Sequence, residues 1–171
     1  MKDSALSVAN YFVQKSLDEK VDLKPLKLMK LVYIAHGFML AMLNKSFLDS
    51  RFDKVEAWKL GPVIPSVYHS FKQYKNGPIK DKAVVFKITE NEVSFIYPEL
   101  RDKETKIVCD YVWNRYNKYS DSELVTLLHK KGTPWDVVYE EGKNNLIPDS
   151  YTYIYYKKLL KSLEKLAGLY D

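Results

Sequence analysis

A single cysteine, Cys109, stands in 171 residues, so no intramolecular disulfide can form and a reducing compartment is expected. Arginine is nearly as scarce: Arg51, Arg101 and Arg115 are the only three among 27 basic residues. Arginine is the side chain suited to bidentate reading of guanine and phosphate, so sequence-specific DNA readout has little to work with. His36, His69 and His129 fall on separate predicted elements, with no His-x-x-x-His and no Cys-x-x-Cys, so neither a metal site nor a cofactor is expected. No glycine-rich dinucleotide loop, Walker loop or EF-hand spacing occurs. Cys109, beside Val108 on a predicted helix, reads as a small buried hydrophobe rather than a nucleophile. No catalytic residue is assigned, and the chain is read as non-enzymatic. Six Gly and seven Pro exclude a collagen-like or linker-dominated chain. The N-terminus has no signal-like apolar block, and the longest uncharged apolar run, Leu31–Leu43, falls short of the ~20 residues a membrane span needs. A cytoplasmic protein without membrane contact follows as the expectation.

What is abundant is aromatic. Phe, Trp and Tyr make up 14% of the chain, with 14 Tyr. Phe12, Phe38, Phe86, Phe95 and Tyr111 fall at apolar helical or strand positions and are expected in the core. The rest cluster near Trp58–Tyr74, Trp135–Tyr139 and Tyr151–Tyr156. The net charge of +5 is an N-terminal excess: residues 1–86 carry 14 basic and 8 acidic side chains, a balance of +6. Most of it is lysine, which argues for solubility and protein contact more than for base reading.

Length and 46% hydrophobic content fit one domain, residues 1–171. Ser4 reads as the N-cap of a helix reaching about Leu17. The strongest periodic signal runs over residues 26–43, where Leu28, Leu31, Val32, Ala35, Phe38, Met39 and Met42 keep helical spacing. The remaining sides are apolar too, so this helix belongs at the centre of the fold. Lys24, Lys27 and Lys30 crowd its N-terminal end, where they oppose the helix dipole and hint at an anionic contact. Gly61-Pro62 reads as a break, followed by a helix over Ser66–Tyr74. Residues 83–97 switch to alternation around a polar Glu90-Asn91-Glu92 break, which predicts a β-hairpin packed on the helices. Helices follow over Glu99–Tyr116, after the Ser120-x-x-Glu123 capping box, after Pro134, and from Pro148 to Leu169 with Ile154, Leu159, Leu163 and Leu166 on one side. The fold class is therefore mostly α: a single-domain helical bundle around a buried central helix (26–43), with one small β-hairpin at about 83–97.

Several segments carry a resemblance. Ala5–Phe12 is similar to the start of the Panacea domain family, the SocA-like antitoxins of bacterial and phage toxin–antitoxin loci. Leu26-Lys27-Leu28-Met29-Lys30-Leu31-Val32-Tyr33-Ile34-Ala35-His36-Gly37 resembles that family's core helix, with Met29 and His36 where Gln is usual. Glu56-Ala57-Trp58-Lys59-Leu60-Gly61-Pro62-Val63-Ile64-Pro65-Ser66-Val67-Tyr68 resembles its Trp-x-x-Gly-Pro-Val-x-Pro block. Ser122-Glu123-Leu124 through His129, with Pro134-Trp135, resembles its next segment.

The resemblance implies a prophage-type or bacterial antitoxin: a helical module that binds and neutralises a cognate protein toxin. One family member delivers its toxin to a ClpXP-type protease, so such a protease is a candidate second partner. A surface formed by Lys27, Lys30, Trp58, Lys59, Tyr68 and Trp135 around the Gly-Pro corner is the candidate partner-binding site. The alternative is a phage-associated regulator that contacts nucleic acid or a host protein through the Lys24–Lys30 region. Nucleic acid is the less favoured partner.

Overall fold

The computed structural model describes residues 3–168. Seven α-helices dominate these residues: α1 (Ala5–Glu19), α2 (Pro25–Leu43), α3 (Pro65–Phe71), α4 (Lys103–Tyr116), α5 (Asp121–Leu128), α6 (Pro134–Val138) and α7 (Asp149–Leu166). A 3-10 turn, Lys72–Tyr74, extends α3. Five short strands accompany them: β1 (Glu56–Trp58), β2 (Gly61–Val63), β3 (Val85–Ile88), β4 (Val93–Ile96) and β5 (Asn145–Leu146). The architecture is mostly α, as the periodicity predicts.

Helix α2 is the axis. Pro25 opens it at the first-turn position, where a missing N–H costs nothing. Every residue of α2 except Leu26, Met42 and Leu43 is buried. By length and composition α2 is apolar enough to cross a membrane, but α1, α3, α4, α5 and α7 all pack around it, which is the position of a core helix. The tightest approach is to α7. Gly37 presents bare backbone to the ring of Tyr156, and a methyl group there would fall far inside van der Waals contact with that ring. Tyr156 is wholly buried and meets Tyr33 and Phe38 edge-on, at 6.1 and 5.1 Å between centroids. The helix ends are sealed locally. Ser4 and Ser7 form a reciprocal capping box on α1, and Ser120 and Glu123 form another on α5.

Three predictions need correction. Helix α4 starts at Lys103 rather than Glu99, because the Asp102 carboxylate accepts from Thr105 N and makes Asp102 the cap. The buried side of α7 runs through Thr152 and Tyr156, with Leu159 and Leu163 packed beside them, whereas Ile154 and Leu166 face solvent. The expected end of this helix, Leu169, lies outside the described residues. The third correction concerns the β-hairpin. It forms where alternation places it, with Phe86 opposite Phe95 and Ile88 opposite Val93. Phe12 and Phe38 are buried as expected, and Tyr111 packs on the core. Phe86 and Phe95 do not fill it: they are 66% and 67% exposed. Only the base of the hairpin is tied down. The buried Asn10 side chain donates to the carbonyls of Ala83 and Pro98 and accepts from Ala83 N, at 2.9, 3.0 and 2.7 Å.

A second sheet, not expected from the sequence, sits where a structural break was read. β1 pairs antiparallel with β2 and with β5, in the order β2-β1-β5. Trp58 lies opposite Gly61, so Lys59 and Leu60 form a two-residue hairpin turn. Gly61 closes it with φ +104°, a conformation that favours glycine. Pro62 follows inside β2, and Pro65 begins α3 at its first turn.

Candidate functional site

The Gly61-Pro62 corner collects five of the six residues singled out from sequence, all but Lys27. Trp58, half-buried on β1, donates from Nε1 to Glu56 Oε2 at 2.7 Å and meets the Tyr68 ring edge-on at 4.8 Å. Tyr68, on the first turns of α3, is half-buried beside it. Trp135 on α6 donates from Nε1 to the Trp58 carbonyl at 2.8 Å, which ties α6 to β1 across 77 residues. Its ring is sandwiched between His129 at 3.7 Å and Tyr139 at 4.3 Å, both nearly parallel. Lys59 stands exposed in the turn, with Leu60 beside it.

Lys30 reaches the corner from beneath. It is wholly buried, and its Nζ donates to the Pro62 carbonyl at 3.0 Å. Burial alone pushes this ammonium down to about 7, since its hydrogen-bond partner is a neutral carbonyl. A methyl group on Gly61 would lie 3.0 Å from Lys30 Nζ and 3.3 Å from His129 Nε2, so both nitrogens close on the same glycine. Glycine is favoured at position 61 by its dihedral, and a methyl group there would also crowd the two nitrogens. His129 Nε2 is buried and has no hydrogen-bond partner among the described residues. Its basicity is lowered by burial first and by the charge of Lys30 second.

Lys27 does not join them. One turn earlier on α2, it is buried and donates to the Asn117 carbonyl, in the connection between α4 and α5. Burial lowers its basicity, opposed by the nearby Asp121 and Glu123 carboxylates. The anionic contact hinted at by the lysine cluster is thus in part internal. The expectation of a shared exposed surface is corrected for three of the six: Lys27, Lys30 and Trp135 are buried. The physical reason is that α2 is enclosed up to its first turn, so its lysines extend their stems inward and find backbone carbonyls.

The exposed part of the corner is Lys59, Leu60 and the outer edges of Trp58 and Tyr68. On the far side of α6 an apolar groove of about 270 Å³ runs between α6 and α7, lined by Pro134, Val137, Tyr151, Ile154 and Tyr155 with Lys158 at its margin. Sequence reasoning found the aromatic and lysine residues but missed Leu60, Val137 and the stacking role of His129. The signal for His129 was present in its spacing to Pro134-Trp135, because a capped second helix returns Trp135 onto the imidazole.

This arrangement holds no assembled acid, base and nucleophile. Cys109 is buried on α4, and burial pushes its thiol up, away from the reactive thiolate. His36 is buried on α2, hydrogen-bonded through Nε2 to Asp149 at 2.9 Å and edge-on to Phe47. Among the described residues no group of three His, Cys, Asp or Glu side chains converges as a metal site would require. What the corner offers is a rigid turn that presents an aromatic, an aliphatic and a cationic side chain together.

Comparison with known proteins agrees with the segments read from sequence. The model of the family described as "Antitoxin SocA-like, Panacea domain" matches residues 28–136. Antitoxin SocA of Caulobacter vibrioides (strain NA1000 / CB15N) is 33% identical over 144 residues, covering 83% of this chain and 73% of that protein. No solved structure matches significantly. The matched span begins inside α2 and ends on α6, so it encloses the corner from Lys30 to Trp135.

Proposed function

The chain belongs to the SocA-like antitoxin (Panacea domain) family, and on that premise we propose that it neutralises a cognate protein toxin by binding it, without catalysing a reaction. The observation that carries the reading is the identity to Antitoxin SocA along most of both chains. The corner supports it as the contact surface. Tyr and Trp are typical anchors of protein interfaces, and here Trp58 on β1 and Tyr68 on α3 flank a two-residue turn, a set of regular elements that loses little freedom on binding. Trp58, Lys59 and Tyr68 touch the toxin in this reading, together with Leu60. Lys30 and Trp135 position that surface from below rather than touching the partner, and Lys27 holds the α4–α5 connection.

Binding would occlude or restrain the toxin in the cytoplasm. Delivery to a ClpXP-type protease is a separate step, visible as a shortened toxin half-life rather than as binding. The nucleic-acid alternative loses two of its three lysines, since Lys27 and Lys30 are buried against carbonyls.

The test is co-expression with the product of the neighbouring gene. The wild-type chain should restore growth of cells poisoned by that product, and a Lys59→Glu/Leu60→Asp variant should fail while keeping its thermal midpoint. Failure of the wild type with every neighbour overturns the antitoxin reading. Equal rescue by the variant leaves the reading standing but removes the corner as the contact.

A further inference from the structure

The β3–β4 hairpin carries an uncovered apolar face. Alternation puts Val84, Phe86 and Ile88 on the same side as Val93, Phe95 and Tyr97, and the register aligns Phe86 with Phe95 and Ile88 with Val93. The two Phe rings touch, at 4.9 Å between centroids. All six side chains are exposed, Ile88 to 77% and Val93 to 57%. The opposite side is half-buried at Val85, Ser94 and Ile96, with Lys87 on it exposed. The hairpin therefore turns its more apolar face outward, which is the reverse of what a two-stranded sheet on a core does.

The size of this face matters. With about 200 Å² for a whole aromatic side chain and somewhat less for Val and Ile, the six leave roughly 700 Å² in water. The largest apolar patch on a typical monomer is about 300–600 Å². One face of a standard protein interface is about 800 Å². A two-stranded hairpin is also marginal by itself and calls for cover.

We propose that this face is covered by the same face of a second copy of the chain, in a twofold dimer. Two such faces pressed together would remove roughly 1,400 Å², inside the standard class of about 1,200–2,000 Å². The face is self-matching, as an isologous contact requires, and apolar except at its base end, where Lys82 Nζ lies 5.5 Å from the Tyr97 ring. Charge fixes the direction. The tip of the hairpin carries Glu90 and Glu92, whereas its base carries Lys80, Asp81, Lys82, Glu99 and Arg101, a balance of one positive charge. Tip over tip would oppose four carboxylates. Tip over base places Glu90 and Glu92 near Lys80 and Lys82 of the other copy, so the twofold axis lies across the strands. The dimer is independent of the toxin contact, which lies at the β1–β2 corner.

The full-length protein answers the question by sedimentation or light scattering across a concentration series. The expected species has twice the 20.0 kDa chain mass, and a Phe86→Glu/Phe95→Glu variant should return to the single mass with unchanged helical circular dichroism. Because those substitutions could also open the hairpin, a charge exchange serves as the second arm. Glu90→Lys/Glu92→Lys should weaken the dimer, and adding Lys80→Glu/Lys82→Glu should restore it. A wild-type chain that stays at the single mass, or a dimer that survives Phe86→Glu/Phe95→Glu, overturns the proposal. So does a single-mass chain whose hairpin variant loses toxin binding instead, which would assign the face to the toxin. Failure of the charge exchange to restore the dimer overturns the tip-over-base arrangement.

Discussion

Replacing Lys30 by Met should make the protein more stable at neutral pH and abolish a specific pH dependence. Burial lowers this lysine from 10.5 to about 7 in the folded state. Between those values the unfolded chain binds more protons than the folded one, so this group makes stability rise with pH across the window. Worked from the shift, folding carries a cost of about 4 kcal/mol from Lys30 at pH 7 and about 2 kcal/mol at pH 9. Met has a similar length and no charge, so the cost disappears. The Pro62 carbonyl then loses its donor, which costs about 1–3 kcal/mol. The variant should therefore be more stable than the wild type by about 1–3 kcal/mol at pH 7, and that margin should shrink by about 2 kcal/mol by pH 9. Urea unfolding at both values, followed by circular dichroism, measures the margin. Groups that do not feel Lys30 cancel in the difference: burial pushes Cys109, Tyr33 and Tyr156 up, so they lose stability at still higher pH in both proteins. His129 titrates below its ordinary 6.5, outside the window. A margin that stays constant from pH 7 to pH 9 would refute the argument, because Lys30 would then not change its charge there.

Four further outcomes are expected. Gly37→Ala drives a methyl group into the Tyr156 ring and should cost about 1–3 kcal/mol in urea unfolding, an amount that Tyr156→Leu in the same chain should largely recover. Asn10→Ala removes three buried hydrogen bonds and should cost about 3 kcal/mol, with amide exchange rising in Val85–Ile96 before it rises in α2. Trp135→Phe keeps the ring between His129 and Tyr139 but loses the bond to the Trp58 carbonyl, for about 1 kcal/mol, whereas Trp135→Ala should lose about 3–5 kcal/mol. Asp149, held below the usual carboxylate range by its hydrogen bond from His36, contributes stability above 3.8 that is lost as pH falls through its folded value. Asp149→Asn should flatten that acid limb in thermal melts between pH 5 and pH 3.

The sequence made the helices legible because each carries a local signal. The continuous stripe of α2, the Ser4 cap and the Ser120-x-x-Glu123 box need nothing from the rest of the chain. The β3–β4 hairpin was legible for the same reason, through its alternation. Its exposure was not, because alternation says which residues share a side and not which side meets the core. The β1–β2–β5 sheet escaped for a different reason. Strands of two and three residues show no period, and β1 meets β5 only by pairing Glu56 with Leu146 and Ala57 with Asn145, about ninety residues further along the chain. At the corner, Trp58, Tyr68 and Trp135 could be named from sequence, but the burial of Lys27 and Lys30 could not. Lysine is almost never fully buried, so composition argues the wrong way, and only the enclosing helices show that carbonyls await both.

The wrapping of α2 by α7 has a consequence for biosynthesis. The core helix α2 is made before α7, the helix that seals Gly37 under Tyr156. About a hundred residues separate them, which at roughly 5–20 residues per second is on the order of 10 s of synthesis. For that interval a 19-residue apolar helix waits without its main cover. Until α7 arrives, the nascent chain shows an apolar face of α2 of the kind that chaperones and proteases recognise, and any cleavage that removes α7 uncovers the same face again.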